Sequence, residues 1–371
     1  MFVELHILQS FAPSNLNRDD TGAPKECEFG GYRRARISSQ CIKRSTRKAF
    51  GGMIAEYDRG YRTKLLAERL AERLKRSPDD GQAARVINWA LAGMGFNVED
   101  GKTQYLIFLG DREVDALASV VRAHWETLAA VPGEPKKGKD SKKKNKAAVP
   151  EAVREALLRI MDGGKAADVA LFGRMLADLP DKNIDAASQV AHALSTHRVG
   201  IEFDYYTAID DLKPKEDPAA DMLGTIEFNA ACYYRYSNVD TKQLLHNLQG
   251  DRDLASRTLE AFLRASVQAV PTGKQNSMAA QNPPSFVMGI VRKTGVWNLS
   301  NAFLKPVVPD AKSDVMRKSI DSMKGLWSRL KAAYGGDSIV EESSLDLDLG
   351  QGTLDDLVKR TVGKVSWNGQ A

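Results

Sequence analysis

Two changes of hydrophobic period along the chain limit what it can fold into. Residues 2–8 alternate, with Val3, Leu5 and Ile7 on one side and Glu4, His6 and Leu8 on the other, the repeat of a half-buried strand. From about residue 57 to 184 the repeat is helical: Leu66, Leu70 and Leu74 make one stripe, and Val114, Leu117, Val121, Trp125 and Leu128 another. Strand patterns return after Pro180, in residues 190–199, in the β-branched and aromatic run TIEFNAACYYRY and in residues 286–291. A helical pattern over 251–270 separates the last two, and Pro271 ends it. Neither period alone runs through the chain, so the fold class is α+β, with a helical block inserted into a sheet-forming one.

The order predicted is strand, helix, helical insertion, strand, hairpin-like excursion, strand, helix, strand. This is the βαββαβ order of the ferredoxin-like fold, the scaffold of RNA-recognition domains. The sheet-forming part takes residues 1–56 and 185–313, the insertion 57–184 and the excursion 199–224. Helices near 314–333 and 353–363 make residues 314–371 a helical C-terminal segment. Within the insertion, residues 132–150 are rich in Gly, Pro and Lys with almost nothing to bury, which predicts a mobile loop.

Charge is distributed just as unevenly. The net charge is +5, yet residues 25–48 hold eight Lys and Arg against Glu26 and Glu28, and residues 132–150 hold seven Lys against Glu134 and Asp140. All of the excess positive charge lies in these two segments, which points to a polyanion met at defined places. The first contains FGGYRRARISSQCIKRSTRKAF, residues 29–50, with seven basic residues and no acidic one. Gly30 and Gly31 let backbone approach a ligand, Arg33, Arg34 and Arg36 lead in, and Ser38 and Ser39 are favoured helix N-caps. On the helix that follows, Lys43, Arg44, Arg47 and Lys48 fall within an arc of roughly 140°, opposite Ile42, Ala49 and Phe50. A phosphate fits at Ser38 to Gln40, where unpaired N–H groups carry the positive end of the helix dipole. The competing reading is a solvated basic helix, although solvated faces normally mix both signs.

Other chemistries find little support. Gly101-Lys102-Thr103 resembles the end of a phosphate loop, but the required upstream glycine is Phe96, and Glu99 and Asp100 would repel phosphate. His192 and His197, five apart, fall on opposite faces of a strand, and Cys27, Cys41 and Cys232 have neither zinc nor disulfide spacing. The pairs Asp19-Asp20 and Asp210-Asp211 read more readily as turn residues than as ligands for a metal that cuts phosphodiesters. No catalytic residue, metal or cofactor is expected. The N-terminus lacks the basic region and cleavage site of a signal peptide, and no apolar run reaches membrane-spanning length, so a cytoplasmic protein without membrane contact is expected. The aromatic consensus of RNA-recognition strands is absent, although Tyr234 and Tyr236 share one strand face. Those tyrosines are read either as stacking platforms or as core.

The run SNLNRDDTGAPKECEFGGYRRARISSQCIKRSTRKAF resembles the N-terminal signature of the guide-RNA-binding backbone subunit of type I-E CRISPR surveillance complexes (Cascade). ADVALFGRMLADLPDKNIDAASQVAHALSTHRVG, YTAIDDL and YYRYSNVD are similar to later segments of that family, and the match spans most of residues 1–290. The resemblance implies a hand-like subunit: an RNA-recognition-like palm, helical fingers and a hairpin thumb. Copies would stack along one crRNA, each thumb displacing a nucleotide at regular intervals. By position, Arg18, Lys25, Ser38, Gln40, Lys43 and Arg47 would hold the guide backbone, joined from the charge reading by Gly31, Arg34 and Arg44. Lys274, Gln275 and Asn276 would line the guide, and Met175 and Tyr206 would wedge at the kink. Lys136, Lys137, Lys139, Lys142, Lys143 and Lys144 are candidates for gripping target DNA, with a solubilising loop as the alternative. Implied partners are the crRNA, target DNA, further copies, the large, small, 5′-end cap and guide-processing endonuclease subunits, and indirectly a helicase-nuclease. An RNA-cleaving backbone subunit of type III complexes and a stand-alone RNA-binding module remain as other readings.

Overall fold

A computed structural model describes residues 1–77, 80–136, 138, 141–208 and 222–367, with the side chains of Met222 and Leu223 left aside. The chain divides into two compact units, residues 1–50, 189–240 and 259–371 in the first and 51–188 with 241–258 in the second.

The first unit is built on an antiparallel sheet. Its main strands are β1 (Phe2–Ser14), β2 (Glu26–Phe29), β3 (Tyr32–Ile37), β4 (Ala193–Ser195), β5 (Glu202–Ala208), β6 (Met222–Asp240), β7 (Phe286–Arg292) and β8 (Ile339–Asp346), and the short strand Ser188–Val190 also pairs with β6. The spatial order is β8-β7-β1-β6-β4-β3-β2, with β5 paired to the outer part of β6. β1 is held on both edges: Leu5 faces Ser237 of β6 and Gly289 of β7. The helices are α1 (Ser39–Ala49), the part of α2 (Arg252–Gln268) from Leu259 onward, α3 (Val315–Tyr334) and α4 (Leu354–Gly363).

Alternation along the strands sorts side chains to the two faces. Phe11, Ala35, Ile37, Ala193 and Tyr233 pack with Ile42 of α1 on one face. Leu8, Tyr234, Tyr236, Phe286 and Ile290 pack on the other with Phe303 and with Ile320, Met323 and Trp327 of α3. The sequence predicts β1 as half-buried, but both of its faces are covered, and Glu4 and His6 are fully buried. Glu4 accepts from the Tyr236 hydroxyl at 2.8 Å and the Trp297 N–H at 2.7 Å, and His6 Nδ1 lies 2.8 Å from the Tyr234 hydroxyl. Tyr234 and Tyr236 are therefore core residues, and α3 closes the face on which bases would stack.

The strand read over residues 190–199 shortens to β4, and two further regions depart from the sequence reading. Residues 26–37 form a hairpin that the predicted order does not include, turning at Gly30 and Gly31 with φ of 64° and 80°, the left-handed pair that a tight hairpin needs. The C-terminal segment, read as helical, also contributes β8, which pairs along all of β7. Its sequence, IVEESSLD, is too polar to announce a strand, and the free edge of β7 decides the matter.

In the second unit the expected stripes converge. Leu66, Leu70, Leu74, Val114, Leu117, Val121 and Leu128 share one core with Val86, Ile87, Leu91 and Leu157. A buried ion pair joins Arg174 to Glu113 at 2.8 Å, and Glu113 also accepts from the Gly163 N–H at 2.9 Å. The lysine-rich segment is not structureless where described. Residues Lys142–Ala148 are helical, Asn145 is buried, and its amide exchanges hydrogen bonds with the backbone of Lys136 at 3.0 and 2.8 Å.

These buried groups govern how stability responds to pH and to substitution. Burial, with Arg292 nearby, pushes the His6 imidazole down to about 3. The unfolded chain takes up that proton near the ordinary histidine value and the folded chain does not, so stability is present above about pH 6.5 and declines below it. The share due to His6 is about 1.4 kcal/mol between pH 7.5 and 5.5, and it should vanish in His6→Gln when urea midpoints are compared at the two pH values. Arg174→Leu, which strands the buried Glu113 carboxylate, should cost about 3–5 kcal/mol in the same assay.

Candidate nucleic-acid interface

The basic helix is set by its cap and its loop. Ser38 is extended, its hydroxyl accepts from the Cys41 N–H at 3.3 Å, and its own N–H donates to the Asn17 side chain at 2.7 Å. Asn17 also accepts from the Lys25 N–H through its carbonyl at 2.9 Å, so one residue fixes both the helix start and the lysine before it. Sequence reasoning passed over Asn17; its position in the polar run before a capped helix was the available signal. Ile42, Thr46 and Phe50, each four residues on, are buried, while Arg44 and Lys48 are exposed and Lys43 and Arg47 half-buried. No acidic residue occupies the first turn, so the positive end of the helix dipole is uncompensated by its own sequence.

The loop after α2 lies against the loop before β2. A Cβ at Gly273 would fall 2.5 Å from the Leu16 carbonyl, so only glycine permits the approach. Together with α1 these loops bound a cleft of about 550 Å³ that Arg18, Asp20, Arg44, Ser45 and Thr272 line. Lys274 follows in a left-handed conformation and Asn276 is exposed. Gln275 is committed within the loop, its amide donating to the carbonyls of Pro271 and Ala280 at 3.0 and 3.1 Å. Asp19 closes a turn: its carboxylate accepts from the Thr21 hydroxyl at 2.8 Å, the Thr21 N–H and the Ala23 N–H, bonds that hold its pKa below the usual range.

Other residues fall as follows. Gln40 is exposed at the start of α1, and Lys25 is half-buried. Arg36 lies 2.9 Å from His192 Nδ1, and burial with the neighbouring Arg36 and Lys25 keeps that imidazole below its ordinary pKa. His192 lies outside the short strand β4, so it does not share a strand with His197 as the sequence suggests.

Arg34 requires a correction. It is fully buried, and its guanidinium donates to the carbonyls of Ser195 at 3.2 Å and Phe303 at 2.6 Å, with longer bonds to Phe29 and Leu304. It is a latch between the hairpin and residues 303–304, not a surface contact. The two glycines serve that latch as well: a Cβ on Gly30 would collide with the Leu304 carbonyl, whereas Gly31 has open space around it. Both shape the turn of the hairpin.

Tyr206 pairs across the ribbon with Gly224, and its ring occupies the space a Cβ there would need. In the second unit Met175 is 82% exposed, between the buried Arg174 and Leu176. Lys142 is half-buried and bound to Asp178 at 2.6 Å, while Lys136, Lys143 and Lys144 are exposed. Lys137, Lys139, Asp210 and Asp211 lie outside the described residues.

This geometry defines an α+β protein whose sheet carries a capped cationic helix beside a loop-bounded cleft. The chain belongs to the family described as CT1975-like protein, whose model matches residues 3–360. No curated protein matches it. Among solved structures it is similar to a chain of a "CRISPR RNA-guided surveillance complex, pre-nicking", with 28% identity, a TM-score of 0.81, and 98% of this chain and 99% of that one covered. A chain of another "CRISPR RNA-guided surveillance complex" shares the fold at 24% identity, with a TM-score of 0.72 over 98% of this chain and 100% of that one.

The latch has a direct consequence. Arg34→Met should leave buried carbonyls without donors and lower stability by about 1–3 kcal/mol, read as a lower urea midpoint. Arg44→Ala, on the exposed side of α1, should move the midpoint by less than about 0.5 kcal/mol.

Proposed function

We propose that this chain is a crRNA-binding backbone subunit of a type I-E CRISPR interference complex, assembling in copies along the guide in the cytoplasm. The observation that carries the reading is the capped, basic outer face of α1, which holds no acidic residue, set in a chain that matches a subunit of an RNA-guided complex over nearly its full length. The strand order β7-β1-β6-β4, with α1 following β1 and α2 preceding β7, supports an RNA-recognition-like palm. The ribbon of β5 and β6 supports the thumb.

A backbone subunit must accept every guide sequence, so it binds phosphate and ribose and leaves base edges to pair with target DNA. Helix α1 suits that role, because charged side chains and helix N-terminal N–H groups recognise phosphate without reading sequence. The covered second face of the sheet fits the same division, since no stacking platform there competes for bases. Met175 and Tyr206 act as wedges that break the guide into short segments, because apolar and aromatic contact tolerates any base. Lys136, Lys143 and Lys144 grip target duplex. The subunit performs no cleavage; the commitment of Asp19 to its own turn supports this over a type III-like nuclease. Other Cascade subunits cap the guide and recruit the helicase-nuclease that cuts.

Replacing Lys43, Arg44, Arg47 and Lys48 together with Ala should weaken binding of single-stranded RNA and flatten its salt dependence by up to roughly three units of slope, at about 0.7 per phosphate contact. An unchanged slope would show that α1 is not the RNA site.

A further inference from the structure

The sheet buries a cation that surface recognition leaves unexplained. Arg235, in β6, is 6% exposed, and its guanidinium donates to the Gln9 side-chain oxygen and the Ser266 carbonyl, each at 2.6 Å. Both acceptors are neutral. Among the described residues no carboxylate pairs with it, and burial alone lowers its pKa, to about 10, so it remains charged at neutral pH. Removing a charge from water is expensive, and buried arginines ordinarily recover the cost from an acidic partner. A neutral donor would satisfy the same two acceptors.

Its location suggests what the charge does. Arg235 lines a small cavity with Leu5, Ile7 and Ser237 of the sheet and with Ile42 and Thr46 from the inner side of α1; no acidic side chain lines it. The outer side of that helix carries Lys43, Arg44, Arg47 and Lys48. We propose that Arg235 is an interior cation of the anion-binding face, acting through the width of α1 on phosphates held by the outer side chains. This rests on the reading that α1 meets RNA. Charge acting through protein is screened less than charge acting through saline. Across a helix about 10–12 Å wide, one such charge strengthens binding about twofold at a water-like dielectric and about tenfold at an effective dielectric near 20. Arg235 touches no phosphate, so it is a positioning charge and not a contact.

The test compares Arg235→Gln, Arg235→Lys and Gln9→Glu in the full chain, with a labelled single-stranded RNA of mixed sequence as probe and thermal melting as the check on folding. Arg235→Gln should bind about two- to tenfold more weakly, and Arg235→Lys should restore affinity to within about twofold. The salt slope should be that of the parent in both. Gln9→Glu places a carboxylate beside the guanidinium at the cost of the Gln9 bond to Asn282; it should weaken RNA binding comparably without lowering the melting temperature. Wild-type affinity in both Arg235→Gln and Gln9→Glu would overturn the proposal, as would Arg235→Lys binding no better than Arg235→Gln at equal melting temperature. If the fourfold alanine variant of the outer face leaves binding unchanged, the RNA reading of α1 fails first, which separates the two failures.

Discussion

The first unit depends on the burial of β1 on both faces and both edges. Over residues 2–8 the strand is paired with β6 on one side and β7 on the other, and its polar residues there must find partners inside. Glu4 and His6 do so through Tyr236, Trp297 and Tyr234. That network fixes the segment leading into α3 over one face, which leaves the opposite face to α1 and α2. The anion-directed helix is where it is because the other side of the sheet is already occupied.

Charge is handled in three ways. Arg174 is neutralised in the core by Glu113. Arg34 is spent on carbonyls to latch a hairpin, and its burial shows that a basic run is not a uniform surface. The outer cations of α1 stand on a helix whose cap is braced by Asn17. Precise placement matters more here than total charge, since a net charge of +5 spread evenly would give no directed face.

Much of this was legible in the sequence. The alternation of residues 2–8, the stripes at Leu66 and Val114, and the Ser38 cap each rest on local period or local chemistry, and the corresponding elements form. The hairpin at Gly30-Gly31 was legible too, as two glycines in a row, but the glycines were read as letting backbone approach a ligand and not as a turn. What escaped depends on distant partners. IVEESSLD becomes a strand only because β7 offers an edge, Arg34 turns inward only because residues 303 and 304 arrive from far along the chain, and Lys142 finds Asp178 in another segment. The charge reading pointed to residues 29–50 as a whole, Arg34 included; geometry was needed to separate the latch from the outer face.

The most direct measurement is to express the chain with a guide array and its processing partners, digest the purified complex with ribonuclease and size the surviving RNA. Evenly spaced protected fragments are the predicted result, because stacked copies cover the guide in equal segments divided at each wedge. A single short footprint, or no retained RNA, would contradict assembly along a guide.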